Sequence, residues 1–150
     1  MTLQCKVTAA CVVVLLSALK LVSCDYKPPP KTFKDYVVRG EFLTNTGRFD
    51  EAIGNYRKAL EIEPESAVVY LRLGQALGLQ GKLDQAIENY AKALSRDPKL
   101  SFAYFEWGRA LQSQGKFDEA IEKYQKVTEV APKFYLAYKF GPTRSKNKAN

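Results

Sequence analysis

The chain has 150 residues, 46% hydrophobic, which is length enough for one domain with its own core. It holds no histidine, the commonest general base and metal ligand, and its three cysteines (Cys5, Cys11, Cys24) all precede residue 25, so the rest of the chain has neither disulfide nor thiolate site. The formal charge of +7 sits at the ends: Lys31 to Tyr138 carries 16 Lys+Arg against 15 Asp+Glu, while Lys139 to Asn150 carries +4 and no acid, so no basic stripe for nucleic acid is expected on the middle of the chain.

Residues 1–23 read as a targeting segment outside the fold. Lys6 gives a weak positive start, and Val7 to Leu19 is apolar or small throughout. At 13 residues this run is short of the ~20 that a membrane-spanning helix needs. Its end, Leu21-Val22-Ser23-Cys24, resembles the lipobox of bacterial lipoproteins. That resemblance implies cleavage before Cys24 and a diacylglyceryl group on its sulfur. Two or three acyl chains, each buried methylene adding about 0.8 kcal/mol, would hold the protein on an extracytoplasmic membrane face. The competing readings are an ordinary cleaved signal with a secreted product and a short uncleaved signal anchor. Residues 24–32 then form a spacer, stiffened by Pro28-Pro29-Pro30 toward an extended polyproline segment.

From Phe33 to Phe134 one pattern is written three times at a period of 34 residues, giving units 33–66, 67–100 and 101–134. Gly40, Gly74 and Gly108 share a column. So do Ala52, Ala86 and Ala120; Tyr56, Tyr90 and Tyr124; and Pro64, Pro98 and Pro132. Within each unit the large and small residues recur at spacings of 4 and 3 (Tyr36, Gly40, Leu43; then Ala52, Tyr56, Ala59), which predicts two amphipathic helices. Between them stand GRFD, GKLD and GKFD. The glycine can end the first helix at positive φ, and the aspartate can cap or complement the start of the second. The proline stops each unit. The column glycines and alanines are expected to let helices approach closely, and the column tyrosines to fill space toward the next unit. One helix pair cannot bury its apolar face alone, so about three stacked units are needed.

These columns resemble the tetratricopeptide repeat: Tyr70, Leu73, Gly74, Leu77, Ala86, Tyr90 and Pro98 in the second unit, and Tyr104, Trp107, Gly108, Leu111, Ala120, Tyr124 and Pro132 in the third. Arg39 departs from the Leu column, and Val127 replaces Ala59 and Ala93. The resemblance implies an all-α, right-handed α-solenoid of three hairpins whose concave face binds an extended peptide or a partner helix. Residues 135–150 are expected to form a short capping helix, which Gly141-Pro142 stops, and a basic tail.

No glycine loop of the phosphate-cradling kind is present, and the acid pairs Asp50-Glu51 and Asp118-Glu119 fall at helix starts, where negative charge is stabilising. The expectation is therefore no enzyme, no cofactor and no metal. The family's groove offsets, carried onto this chain, give a peptide-binding set of Val37, Glu41, Val68, Leu71, Gln75, Phe102, Phe105 and Arg109, most of it an apolar floor suited to a peptide or amphipathic helix. Family members that clamp a terminal carboxylate use Lys, Asn and Arg where this chain has Val37, Glu41, Arg72, Phe102 and Glu106, so that specificity is not expected. The resulting reading is a membrane-tethered adaptor with a protein partner. The alternative is an envelope assembly factor that self-associates end to end, as a homo-oligomer.

Overall fold

The computed structural model describes residues 32–132. They form six helices: α1 Phe33–Asn45, α2 Phe49–Ile62, α3 Ala67–Leu79, α4 Leu83–Arg96, α5 Ser101–Ser113 and α6 Phe117–Val130. No strand occurs among the described residues. The predicted leader 1–23, the spacer up to residue 31, Cys24 and the predicted capping helix and tail 135–150 lie outside them.

The helices pair as three hairpins, α1–α2, α3–α4 and α5–α6. Each hairpin packs on the next through α2–α3 and α4–α5, and the first helices also touch, α1 on α3 and α3 on α5. The result is the expected all-α solenoid, with the first helices forming its inner layer.

The turns follow from local chemistry. Gly47, Gly81 and Gly115 adopt φ of 76°, 83° and 76°. In each turn the glycine N–H donates back to the helix (Gly47 to the Thr44 carbonyl, 3.1 Å), and the next N–H reaches one residue further back (Arg48 to Leu43, 2.9 Å). These paired bonds satisfy carbonyls that the helix end leaves open, and they require the left-handed conformation that glycine adopts without strain. Each second helix ends on a residue with ψ near 80–90° ahead of the proline, as at Asp97 (φ −134°, ψ 93°). At the N-terminus, Thr32 caps α1 reciprocally: its hydroxyl accepts from the Asp35 N–H at 3.2 Å, and the Asp35 carboxylate accepts from the Thr32 N–H at 3.2 Å.

The glycine columns work as close-approach sites, but the partner differs from expectation. A methyl group on Gly40, Gly74 or Gly108 would lie 2.6, 2.5 or 2.8 Å from the ring of Tyr56, Tyr90 or Tyr124 respectively. Each tyrosine therefore fills the space over the glycine of its own hairpin. The rings are almost fully buried, and each contributes about 1.5–3 kcal/mol through the apolar surface it removes from water.

The aspartates in the turns also differ from expectation. None supplies a side-chain cap, since Arg48, Lys82 and Lys116 hold the cap positions without a capping hydrogen bond. Asp50 and Asp84 instead accept from the next hairpin: Gln80 Nε2 donates to Asp50 Oδ1, and Gln114 Nε2 to Asp84 Oδ1, both at 2.7 Å. Both acids still lie in the first turn, where they complement the helix dipole.

Candidate functional site

Along the inner layer α1, α3 and α5 run side by side, and a groove enclosing about 460 Å³ opens between them. Its lining comes in columns set by the 34-residue period. Glu41, Gln75 and Arg109 form one column, so the groove runs from acid through neutral amide to base. Arg72 and Glu106 sit one helical turn earlier on α3 and α5, and Asn45, Leu79 and Ser113 stand further along. Tyr56, Leu83 and Tyr90 reach in from the second helices.

The charges in this groove neutralise one another. Arg72 Nε lies 3.2 Å from Glu41 Oε1, bridging two hairpins, and Arg72 Nη1 donates to Gln75 Oε1 at 3.2 Å. Arg109 Nη1 donates to Glu106 Oε2 at 3.1 Å on α5. Both ion pairs are partly solvated and add at most about 1 kcal/mol each to stability. They leave two acids and two bases in balance, so the groove carries no net charge.

The tyrosine hydroxyls differ from unit to unit. Thr44 donates to the Gly40 carbonyl at 2.9 Å, which leaves its oxygen to accept from the Tyr56 hydroxyl at 3.3 Å. In the third unit the Tyr124 hydroxyl donates to Gln112 Oε1 at 3.0 Å. The same column in the second unit is Gly78, and the Tyr90 hydroxyl has no hydrogen-bond partner among the described residues. Burial pushes the Tyr90 hydroxyl well above the ordinary tyrosine range. The Glu106 carboxylate adds to this and the Arg109 guanidinium opposes it. It stays protonated, and so remains a donor, at any physiological pH.

Of the residues expected from the sequence, Glu41, Gln75 and Arg109 line the groove. Leu71 and Phe105 are only 5% and 6% exposed and belong to the core; the Phe105 ring centroid lies 5.8 Å from that of Tyr124 and 6.0 Å from that of Phe102. Val37 and Phe102 are half-buried and packed on the core, and Val68 is exposed but outside the lining. Most residues of the open lining are thus polar or charged where an apolar floor was expected, although apolar atoms still form the larger part of its surface. Arg72 and Glu106 take part in it, although the sequence considered them only as positions of a carboxylate clamp. Their spacing, three residues before Gln75 and Arg109 on one helix face, is the signal that marks them. Among the described residues no group of three or more His, Cys, Asp or Glu side chains could hold a metal, and no helix is long and apolar enough to cross a membrane.

Helical hairpins in a linear stack, with an open groove on the inner layer, define a repeat protein built to present a surface. A tetratricopeptide repeat family model matches residues 36–99 and again 65–133, and the chain belongs to that family. No curated protein sequence matches it. Among solved structures it is similar to the first tetratricopeptide domain of Spaghetti (RPAP3) bound to an HSP90 peptide, at 24% identity and a TM-score of 0.69, over 72% of this chain and 86% of that one. MamA is similar at 25% identity and a TM-score of 0.68, over 85% and 71%. YrrB, described as having an unusual peptide-binding site, shares the fold at 20% identity and a TM-score of 0.69, over 74% of this chain and 57% of its own.

Proposed function

We propose that this protein is a non-catalytic adaptor of three tetratricopeptide repeats that grips a peptide segment of another protein in the groove between α1, α3 and α5. The observation that carries this reading is the groove itself: it is open along one side and lined by side chains from all three units with both signs of charge. Extended peptides present backbone donors and acceptors along their length, and a row of Glu41, Gln75 and Arg109 meets both kinds. The similar domain of Spaghetti binds an HSP90 peptide, and YrrB has a peptide-binding site. The test is co-purification of the full chain from its native membranes. Arg109→Glu with Gln75→Ala should remove a partner that the wild type retains, with the helical circular-dichroism signal unchanged. A partner retained by the variant removes the groove from the account.

The adaptor acts at a membrane on the extracytoplasmic side, tethered through a lipid on Cys24, and the support for this is the lipobox resemblance of Leu21-Val22-Ser23-Cys24. Metabolic labelling with a radioactive fatty acid should mark the wild type and not Cys24→Ala. Equal labelling of the two rejects the anchor.

One observation favours the assembly reading as a second function. On α1 the outward residues Val38 and Phe42 are 48% and 58% exposed, in columns where α3 and α5 carry Arg72, Glu106 and the buried Ala76 and Ala110. Sedimentation of the full chain in detergent should then show a concentration-dependent dimer that Phe42→Lys abolishes. A monomer at all concentrations removes this reading.

A further inference from the structure

The groove changes character at its central unit. In the first and third units the inner helix ends on polar residues, Thr44 and Asn45 on α1 and Gln112 and Ser113 on α5. Thr44 and Gln112 also hold the tyrosine hydroxyls of their own hairpins. The second unit puts Gly78 and Leu79 in those two columns, and both line the groove. Leu79 is 60% exposed, more than any other large apolar side chain among the described residues. Beside it Gly78 leaves the space that Thr44 and Gln112 fill in the flanking units; a Cβ there would meet nothing nearer than the Tyr90 hydroxyl at 3.4 Å. Leu83, across the turn on α4, and Ala110 on α5 line the groove as well. An aliphatic side chain left this open in a concave surface, with a gap beside it, is surface that an incoming apolar group can remove from water.

We propose that Gly78 and Leu79 form an apolar anchor site at the centre of the groove, and that the peptide held there sets an apolar side chain on it with an acidic residue toward α5. The inference rests on the peptide-groove reading given above. The sign of the neighbouring charge follows from which groove charges stand open. Arg72 and Glu41 are almost equally exposed, at 41% and 40% of their side chains, and cancel. Arg109 and Glu106 are unequal: the Arg109 side chain is 58% exposed and that of Glu106 only 12%. The open member of this pair is the cation. Glu106 takes its Nη1, and the guanidinium carries further donors on Nε and Nη2. A peptide carboxylate can accept from these while Glu106 stays in place, whereas an ammonium would meet a like charge. The spacing follows from helix geometry. Neighbouring helices lie about 8–10 Å apart, and Arg109 stands roughly one turn, about 5.4 Å, back from the level of Leu79. An extended chain advances about 3.3 Å per residue, so the acid falls about three residues from the anchor.

The test uses the full chain and fluorescent peptide pools, with binding read by anisotropy. Each pool is random except for a central Leu or Ser and a Glu or Lys three residues away on both sides, so that either direction of the peptide is covered. The wild type should bind the Leu–Glu pool about tenfold tighter than Ser–Glu or Leu–Lys, the step expected for burying one aliphatic side chain or matching one exposed charge. Leu79→Asn gives the second unit the residue of the first. It should erase the preference for Leu over Ser, keep that for Glu over Lys, and leave the helical circular-dichroism signal unchanged. Arg109→Gln should do the reverse. Gly78→Thr fills the gap and should also weaken the Leu preference. A Leu preference that survives both Leu79→Asn and Gly78→Thr overturns the anchor, as does a wild type that favours Ser. A charge preference that survives Arg109→Gln removes the acidic residue from the proposal. Pools that bind without any central preference and are lost on Arg109→Glu leave the groove standing and sink the anchor alone. No binding by any pool overturns both.

Discussion

Gly74 and Gly54 are both helical glycines, and the structure assigns them opposite responses to a methyl group. On Gly74 the added carbon would fall 2.5 Å from Tyr90 Cε1 and 3.1 Å from the Ala86 carbonyl oxygen, so a ring and a backbone must both move. Overpacking of this kind costs about 1–3 kcal/mol. Gly54 lies exposed on α2 with nothing within 4 Å, so alanine there meets no obstacle and recovers about 0.5–1 kcal/mol of backbone entropy. Urea denaturation should show Gly74→Ala less stable and Gly54→Ala more stable than the wild type; two shifts of the same sign would contradict the packing described. The 34-residue period made the Gly40, Gly74 and Gly108 column legible as a close-approach site, because a lone column of glycine within helical spacing has few other causes. It did not reveal that each tyrosine packs on the glycine of its own hairpin. A period locates columns but does not say whether two columns meet within a unit or across the junction, since both pairings repeat at 34 residues.

At the level of elements the hairpins are joined by a device that stands outside the apolar core. Gln80, just past the end of α3, donates to Asp50 on α2, and Gln114, just past the end of α5, donates to Asp84 on α4, each across 30 residues of chain. In the first unit the Gln column holds Thr46, which bonds back to the Phe42 carbonyl at 3.0 Å and has no preceding hairpin to reach among the described residues. The aspartates were visible in the sequence as part of GRFD and GKLD, and local chemistry made capping the natural expectation. Their real partners are remote in sequence and present in only two units, so no local rule points to them. A double-mutant cycle of Asp50→Ala with Gln80→Ala should yield a coupling of about 1 kcal/mol, the usual net contribution of an intramolecular hydrogen bond, since this one is exposed to water. Coupling indistinguishable from zero would mean that α2 and α3 are held by apolar contact alone. The groove was legible to a similar degree. Glu41, Gln75 and Arg109 were found from the groove offsets that the tetratricopeptide resemblance implies. Leu71 and Phe105 lie on the border between groove and core, where helical spacing alone does not separate the two.

For the whole molecule the three buried tyrosines, one per hairpin, set the response to alkali. The hydroxyls of Tyr56, Tyr90 and Tyr124 are all raised above the ordinary tyrosine value, and burial is the leading cause in each; the Thr44 bond and the Arg109 charge work against it at Tyr56 and Tyr124 respectively. Below about pH 10 both folded and unfolded chains keep these protons, and stability does not depend on them. As pH rises past that value the unfolded chain releases protons that the folded chain still holds. Folding is then penalised increasingly until the folded-state values are reached. Tyr90 alone accounts for about 1.4 kcal/mol per pH unit over this window. Because each hairpin is stable only through its neighbours, loss at the central unit should propagate to both ends, so the transition is expected to be cooperative. Circular dichroism during titration with base should show a single loss of helix above pH 10, and Tyr90→Phe should move its midpoint upward. A midpoint that Tyr90→Phe leaves in place would show that the central ring carries its proton no more tightly in the folded chain than in the unfolded one, against the burial seen between Gly74 and the groove.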